Sequence, residues 1–436
     1  MTSTPPRPRR SRVGDRLAGL PGVRAVRRPV TPNAADRFDL YYVRTGPKSD
    51  HPLLVVPGGP GMASIGSYQG LRRRAAAAGL DVIMVEHRGV GLSRCDESGA
   101  DLPPDALTIE QVVDDMTAVL DDAQVDRAVV YGTSYGTYLA AGLGVRHPCR
   151  VEAMILDSPL LNRHDIEAVR QALRELLWHG PELEVAAPDA AEPEEPQSPA
   201  LGAQVPDLAA KVRRLVDVDA MTPVDAQIAA VVYGLGGEEL LHRHLDLLLG
   251  GRRLLWTALL EVSRRVARRK LPYRNETDLV GPIGFRELNF AGEPDGLPLD
   301  PAVAWRELMG DDTSFAGEPF DLVAKMPTFD WHTVVISGGR DLVTPPTVAD
   351  RIAELIPSSA LVRLATAGHS VLDTRERAAL HIAREVCAGR TETLAGQGEA
   401  LDSLPASPAV RLAGSALDAA ARIEAALPKL PGRPTS

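Results

Sequence analysis

In the first third of the chain, apolar patterns typical of strands alternate with apolar patterns typical of helices. The segment 38–43 alternates apolar with polar residues, which predicts an edge strand with one solvated face. Short apolar runs predict buried strands at 53–56, 81–85, 128–131 and 151–156. Helical spacing predicts helices at 70–78, 108–123 and 138–146. Strands that alternate with helices are typical of a mainly parallel sheet covered by helices on both faces.

This alternation of predicted strands and helices stops near residue 161 and returns near residue 331. Between 162 and 330 the sequence shows helical patterns separated by acidic and proline-rich segments, without a run of buried strands. Five prolines from Pro188 to Pro206 predict a surface loop. The earlier pattern resumes with strands at 333–336 and 360–364 and a helix at 346–356. We therefore predict one α/β domain that is interrupted by a helical cap.

The predicted boundaries divide the chain into core, cap and two flanking parts. Residues 1–35 form a loosely ordered N-terminal arm that is rich in Arg and Pro. Residues 36–161 and 331–390 form the α/β core, and residues 162–330 form the cap. Residues 391–436 combine a low-complexity stretch with an Ala-rich helix, and the sequence indicates no role for them.

The bulk composition argues against some classes of function. A net charge of −10 is unlike that of a general nucleic-acid binder, and no stretch approaches the roughly 20 apolar residues of a membrane span. The start of the chain has no apolar run of signal-peptide length. Three widely spaced cysteines suit neither a metal site nor a disulfide framework, and they fit a reducing compartment. We expect a soluble, cytoplasmic protein without nucleic-acid or membrane partners, and the sequence leaves its oligomeric state open.

A G-x-S-x-G motif, Gly132-Thr-Ser-Tyr-Gly136, joins a predicted strand to a predicted helix. In this position the motif is typical of a nucleophile elbow, a tight turn that lifts the serine hydroxyl above the sheet. The motif has glycine two positions before and two positions after the serine because the turn leaves no room for side chains there. We predict Ser134 as the nucleophile, and the alternative is a Gly-rich turn with a helix-capping serine.

A serine nucleophile needs a general base and a residue that orients this base. Asp341 and His369 each follow a predicted strand end, and the residues between them accommodate one helix and one strand. Asp157 also follows a strand but precedes the cap, and we expect it to be structural. The oxyanion needs two N–H donors, for which we predict the backbone of Tyr135 and of Gly59.

Several segments resemble motifs of the proline iminopeptidase family. These segments are Pro57–Gly61, Glu86–Ser93, Gly132–Thr137, and Gly339–Asp341 with Gly368–His369. The resemblance covers roughly residues 38–166 and 333–387 and leaves the cap unmatched. It implies the α/β-hydrolase fold and release of an N-terminal residue, often proline, from short peptides without a metal or cofactor. Two departures occur near the site: Pro57 stands where the family has His, and Glu86-His87 where it has Asp-Gln.

An aminopeptidase has to bind the α-ammonium group of its substrate, and carboxylates are the suitable groups. In the family these are glutamates of the cap. The resemblance makes Glu287 the first candidate, followed by Glu261 and Glu293, although each could be a solvated surface residue instead. The basic segment 252–270 could receive acidic substrates or partners, or form a solvated face, or pair with the acidic loop 188–206.

The sequence thus favours a serine hydrolase, with an aminopeptidase of the proline iminopeptidase type acting through an acyl-enzyme as the first hypothesis. The second is a carboxylic-ester hydrolase or thioesterase acting on a small metabolite, because the triad does not distinguish an amide from an ester. The third is a binding protein on a hydrolase scaffold, which an intact triad disfavours.

Overall fold

A mixed β-sheet forms the centre of the computed structural model, which describes residues 11–179, 206–268, 271–309 and 314–428. The described residues form an eight-stranded sheet of order β1-β2-β4-β3-β5-β6-β7-β8. The strands are β1 (Val23–Pro29), β2 (Arg37–Thr45), β3 (Leu53–Val56), β4 (Val82–Val85), β5 (Ala128–Thr133), β6 (Val151–Asp157), β7 (Thr333–Gly338) and β8 (Ser359–Leu364). β2 runs antiparallel to both its neighbours, and the strands from β3 to β8 run parallel to one another. This is the predicted α/β-hydrolase fold.

Helices cover both faces of the sheet and form the insertion between β6 and β7. Those before the insertion are α1 (Arg12–Ala18), α2 (Ser64–Ser67), α3 (Gln69–Ala77), α4 (Ile109–Asp122) and α5 (Tyr135–Arg146). The insertion contains α6 (Asp165–Arg174), α7 (Pro206–Asp217), α8 (Pro223–Leu249), α9 (Leu254–Arg268), α10 (Thr277–Val280), α11 (Pro282–Leu288), α12 (Pro301–Met309) and α13 (Leu322–Lys325). The remaining helices are α14 (Pro346–Leu355), α15 (Val371–Thr374), α16 (Glu376–Cys387), α17 (Gly398–Asp402) and α18 (Pro408–Ala426).

Each strand contributes to two apolar layers because successive side chains point to opposite faces of the sheet. In β3, Leu54 and Val56 pack in the layer formed with α4 and α5. Leu53 and Val55 pack in the opposite layer, formed with α3 and α16. The short apolar runs of the sequence are therefore strands buried on both faces, as predicted.

The N-terminal segment is a correction to the predicted loosely ordered arm. Residues 11–35 contain α1 and β1, and β1 pairs with β2 from Val23 opposite Val43 to Pro29 opposite Arg37. β2 is consequently an interior strand, not the predicted edge strand. The arginines of β1 concealed this strand, since Arg24 and Arg27 are exposed and interrupt the apolar pattern.

The residues described between β6 and β7 form helices and no strand, and they have an apolar cluster of their own. Leu173 of α6, Leu208 of α7 and Leu241 of α8 are buried together in this cluster. Most of the proline-rich segment 188–206 lies outside the described residues, and Pro206 begins α7. None of the helices within the described ranges has both the length and the apolar character of a membrane span.

The C-terminal helix α18, for which the sequence indicated no role, packs against α8 and α9 of the insertion. The carboxylate of Glu424 accepts hydrogen bonds from the N–H groups of Leu254 and Leu255, both at 2.8 Å. Arg252 donates to the carbonyl oxygen of Glu424 at 3.0 Å. The start of the basic segment 252–270 is thus held by the C-terminal helix.

Candidate active site

Ser134 lies in a strained turn between β5 and α5. Its backbone has φ 52° and ψ −127°, a region that residues other than glycine rarely adopt. A Cβ atom on Gly132 would lie 2.4 Å from the Gly136 carbonyl oxygen, and one on Gly136 would lie 2.1 Å from the Val56 carbonyl oxygen. The turn therefore requires glycine on both sides of the serine, which is the physical basis of the motif.

The structure brings Ser134, His369 and Asp341 together in one hydrogen-bonded chain. Nε2 of His369 lies 2.9 Å from Ser134 Oγ, and Nδ1 lies 2.9 Å from Asp341 Oδ2. An ionised carboxylate can only accept, so Nδ1 carries the proton and Nε2 is left to accept the serine proton. The three residues follow β5, β8 and β7, whose carboxyl ends meet at one edge of the sheet.

Asp341 is buried and receives more hydrogen bonds than the one from His369. The N–H groups of Val343 and Thr344 donate to Oδ1, and the Thr344 hydroxyl donates to Oδ2, each at 2.9 Å. Burial opposes ionisation of Asp341, but the charge and hydrogen bond of His369 and the two N–H donors hold its pKa below the usual range. The carboxylate therefore stays ionised while it orients the base.

Burial and nearby carboxylates have opposite effects on the pKa of His369. Burial favours the neutral ring, but Asp341 favours the charged ring by more, and Asp157 and Asp373 add to that effect. The pKa of His369 consequently lies above its ordinary value of 6.5. A base of this strength suits proton transfer from a serine hydroxyl.

Asp157, the alternative triad acid in the sequence, holds other parts of the structure together instead of orienting His369. Its carboxylate accepts from the N–H groups of Val371 at 2.9 Å and Leu372 at 2.7 Å, and from the Tyr131 hydroxyl at 3.0 Å. Burial raises its pKa to about 6, against the effect of these donors. Asp157 thus fixes the start of α15, the helix that follows His369.

The predicted oxyanion donors are backbone groups of two residues near Ser134, Tyr135 and Gly59. Tyr135 is the first residue of α5, so its N–H has no acceptor within the helix. Gly59 lines the same cavity as Ser134, and a Cβ on the adjacent Gly58 would lie 3.1 Å from Ser134 Cβ. The loop of Gly59 continues into a backbone hydrogen bond of 3.0 Å from Glu276 N to Gly61 O, which connects it to the insertion.

Glu86 and His87, which form one of the two departures from the family motif, lie beside this loop, with Glu86 fully buried and His87 half-buried. Glu86 accepts from the N–H groups of Ser64 at 2.8 Å and Ile65 at 2.9 Å, and so fixes the start of α2. Burial lowers the pKa of His87 to about 4, so its ring is neutral, and neither ring nitrogen has a hydrogen-bond partner among the described residues. Neither side chain touches the triad.

A cavity of about 660 Å³ opens over Ser134 and His369. Apolar side chains of the insertion form much of its wall, including Phe285, Phe290 and Trp305. Within the described ranges, the carboxylates that line it belong to Asp165 and Asp373, and no lysine or arginine lines it. The charge of this lining favours a substrate with a positive or hydrogen-donating group.

The structure does not bring the three glutamates predicted to bind the substrate amine to the lining of this cavity. Glu287 is buried, accepts from Ile109 N at 2.9 Å and pairs with Arg286, so it caps α4. Glu261 and Glu293 are exposed and pair with arginines at 2.6 Å and 2.9 Å. The helical pattern of the sequence does not show which side of the insertion a glutamate faces.

Sequence reasoning missed several polar groups of the cavity wall. Those that line it without a hydrogen-bond partner among the described residues are Tyr68 Oη, Gln227 Nε2, Asn275 Oδ1 and Thr277 Oγ1. No motif surrounds them, so tertiary structure alone assembles this set. In the described part of the chain, no group of three His, Cys, Asp or Glu side chains could hold a metal ion.

Comparisons with known proteins agree with this architecture. Residues 51–186 match the family model for the alpha/beta hydrolase fold. A protein of Mycoplasma genitalium named as a proline iminopeptidase is 26% identical over 131 residues, which are 30% of this chain and 40% of that protein. A similarly named protein of Streptomyces coelicolor is 26% identical over 124 residues, or 28% and 38% of the two chains. A Caulobacter protein named as a carbamate hydrolase is 27% identical over 118 residues, or 27% and 41%.

The aligned part spans about two fifths of these relatives, between 38% and 41% of their length. The crystal structure of a proline iminopeptidase from Mycobacterium smegmatis aligns with a TM-score of 0.47 and 17% identity over 87% of this chain and 100% of that chain. A thermophilic esterase from Thermogutta terrifontis aligns with a TM-score of 0.44 and 16% identity, over 84% and 99%.

The sheet topology and the matched family model define the α/β-hydrolase fold. Within that class the chain resembles proline iminopeptidases.

Proposed function

We propose that this protein is a serine aminopeptidase of the proline iminopeptidase type, which releases the N-terminal residue of short peptides through an acyl-enzyme. The observation that carries the proposal is the chain Ser134–His369–Asp341 opening into a cavity whose described lining has carboxylates and no basic side chain. A free α-ammonium group is the part of such a substrate that this lining would favour.

In the proposed reaction, Ser134 Oγ attacks the carbonyl carbon of the first residue while His369 Nε2 takes the hydroxyl proton. The carbonyl oxygen becomes an oxyanion that accepts from the N–H groups of Tyr135 and Gly59. As the C–N bond breaks, His369 gives the proton to the leaving amine, and the acyl group stays on Ser134. Water then attacks the ester, again with His369 as the base, and releases the free amino acid.

The insertion supplies the surface for the side chain of the first residue. Phe285 and Trp305 lie with ring centroids 6.1 Å apart, and Phe285 and Phe290 lie 6.3 Å apart. These rings line the cavity and suit a compact apolar group such as a pyrrolidine ring.

The same apolar wall also suits the acyl group of a small ester, which keeps an esterase or thioesterase as the second candidate. A curated relative named as a carbamate hydrolase matches this chain at 27% identity, as the iminopeptidases do at 26%. The two candidates differ in whether the substrate amine contributes to binding.

A panel of matched substrates distinguishes them. Prolyl- and alanyl-β-naphthylamide are compared with their N-acetyl forms and with p-nitrophenyl acetate, and Ser134→Ala gives the background. A charge-assisted contact of roughly 1.5–3 kcal/mol corresponds to a preference of about ten- to a hundredfold in kcat/KM for the free amine. Equal efficiency on free and acetylated substrates would contradict the aminopeptidase proposal and favour the esterase.

A further inference from the structure

Asp373 presents a carboxylate to the cavity directly beside the triad. It lies on α15, which begins two residues after His369, and it is exposed. Among the described residues it forms no ion pair with a lysine or arginine, and the Ser370 hydroxyl donates to its Oδ2 at 2.6 Å. A carboxylate has capacity for further donors, so this one can accept more hydrogen bonds from the cavity side.

A short chain of hydroxyl groups fixes this carboxylate near the nucleophile. Ser370 Oγ lies 3.0 Å from Thr133 Oγ1, and Thr133 immediately precedes Ser134. The N–H of Ser370 donates to Ser158 Oγ at 2.9 Å. In an aminopeptidase substrate the α-ammonium is separated from the attacked carbonyl by a single carbon atom. Its partner must therefore lie next to the triad, as Asp373 does.

Tyr68, beside Asp373, provides a second observation at the same place. Its side chain is 5% exposed and lines the cavity, and its hydroxyl has no hydrogen-bond partner among the described residues. Burial raises the pKa of Tyr68 well above its usual value, and the neighbouring charge of Asp373 raises it further. A buried hydroxyl without a partner is costly, and a bound donor or acceptor would satisfy it.

The other carboxylate of the lining, Asp165, is used differently. Its Oδ2 accepts from Leu161 N at 2.7 Å and its Oδ1 accepts from Asn162 N at 3.2 Å, so both oxygens hold the turn before α6. Burial raises its pKa to about 7, against the effect of these N–H groups. Asp165 is therefore only partly ionised near neutral pH, and it serves as a matched control for Asp373.

We propose that Asp373, together with the Tyr68 hydroxyl, binds the α-ammonium group of the substrate. The amine-binding carboxylate then belongs to the core loop that carries His369, and not to a glutamate of the insertion. This inference rests on the proposed aminopeptidase function.

The test compares wild type with Asp373→Asn, Tyr68→Phe and the control Asp165→Asn. For each, the measured quantity is the ratio of kcat/KM on alanyl-β-naphthylamide to that on its N-acetyl form. Enzyme concentration is normalised to the serine that a fluorophosphonate probe labels, so that misfolded protein does not enter the ratio. We expect Asp373→Asn to lower the ratio about ten- to a hundredfold and Tyr68→Phe about two- to tenfold, while Asp165→Asn keeps it.

The outcomes separate the inference from the function on which it rests. If wild type shows no preference for the free amine, the aminopeptidase proposal fails, and this inference fails with it. If wild type shows the preference and Asp373→Asn retains it, the aminopeptidase proposal stands and Asp373 is not its amine site. Loss of the preference in Asp165→Asn alone would also overturn the inference.

Discussion

At the residue scale, the candidate site depends on how Asp341 is held. Three donors besides His369 fix its carboxylate, and one of them, the Thr344 hydroxyl, also lies 3.3 Å from His369 Nδ1. A carboxylate with so many donors keeps its charge even when buried. That charge is what raises the pKa of His369 and fixes its tautomer.

This arrangement predicts a pH dependence. Because His369 acts as a base only when neutral, kcat/KM should rise with pH through the pKa of His369, above the ordinary value of 6.5. Asp341→Asn removes the negative charge beside His369, so the pKa of His369 should fall. The acidic limb of the pH profile of kcat/KM should then move to lower pH. The rate should also fall by about 10⁴-fold, as for the same change in a known triad.

The control for that profile is Asp350→Asn, which removes a carboxylate that pairs with Arg363 instead. The Asp350→Asn variant should leave the acidic limb of the pH profile at the same pH as in wild type. A limb at the same pH in wild type and Asp341→Asn would show that Asp341 does not control the base.

The triad could be predicted from the sequence because local constraints determine it. Ser134 sits between two glycines that the turn requires, and Asp341 and His369 follow strands that are readable as apolar runs. Asp373, the proposed amine-binding residue, could not be predicted in the same way. The spacing of Ser370 and Asp373 fits a capping pattern and so indicates the start of a helix. That the Asp373 side chain faces the cavity follows only from tertiary packing.

At the element scale, the cavity wall depends on the C-terminal helix. α9 contributes Val262 and Ser263 to the lining, and the first N–H groups of α9 bind the buried carboxylate of Glu424 in α18. A negative charge at a helix N-terminus is favourable because it meets the free N–H groups and the positive end of the helix dipole. α18 thus holds the start of α9 in place.

We predict that Glu424→Ala lowers the free energy of unfolding by about 1–3 kcal/mol, the contribution of hydrogen bonds to a charged group at a helix end. Urea denaturation measures this change. Arg411→Ala is the matched control, because Arg411 is an exposed residue of the same helix and should change stability little. Equal stability of the two variants would show that the Glu424 cap does not hold α9.

Elements with strong apolar patterns were predicted well, whereas those stabilised by pairing were not. The predicted helix at 108–123 is observed as α4 with Thr108 as N-cap, since local spacing and capping determine it. β1 escaped prediction because its arginines obscure the strand pattern, and its hydrogen bonds to β2 define it.

At the scale of the whole molecule, the sheet brings together residues that are far apart in the chain. Hydrogen bonds join Ser134 to His369 across 235 positions and Asp341 to His369 across 28 positions. The parallel strands make this possible, because their carboxyl ends lie at one edge. The insertion between β6 and β7 then forms a wall of the cavity over that edge.

The central claim is that Ser134 is the nucleophile of the proposed reaction, and covalent labelling tests it most directly. The protein is treated with a fluorophosphonate probe, digested, and mapped by mass spectrometry, alongside Ser134→Ala. We predict one modified serine, Ser134, with the loss of labelling and of activity by several orders of magnitude in the variant. Labelling of a different serine, or full activity in Ser134→Ala, would contradict the account.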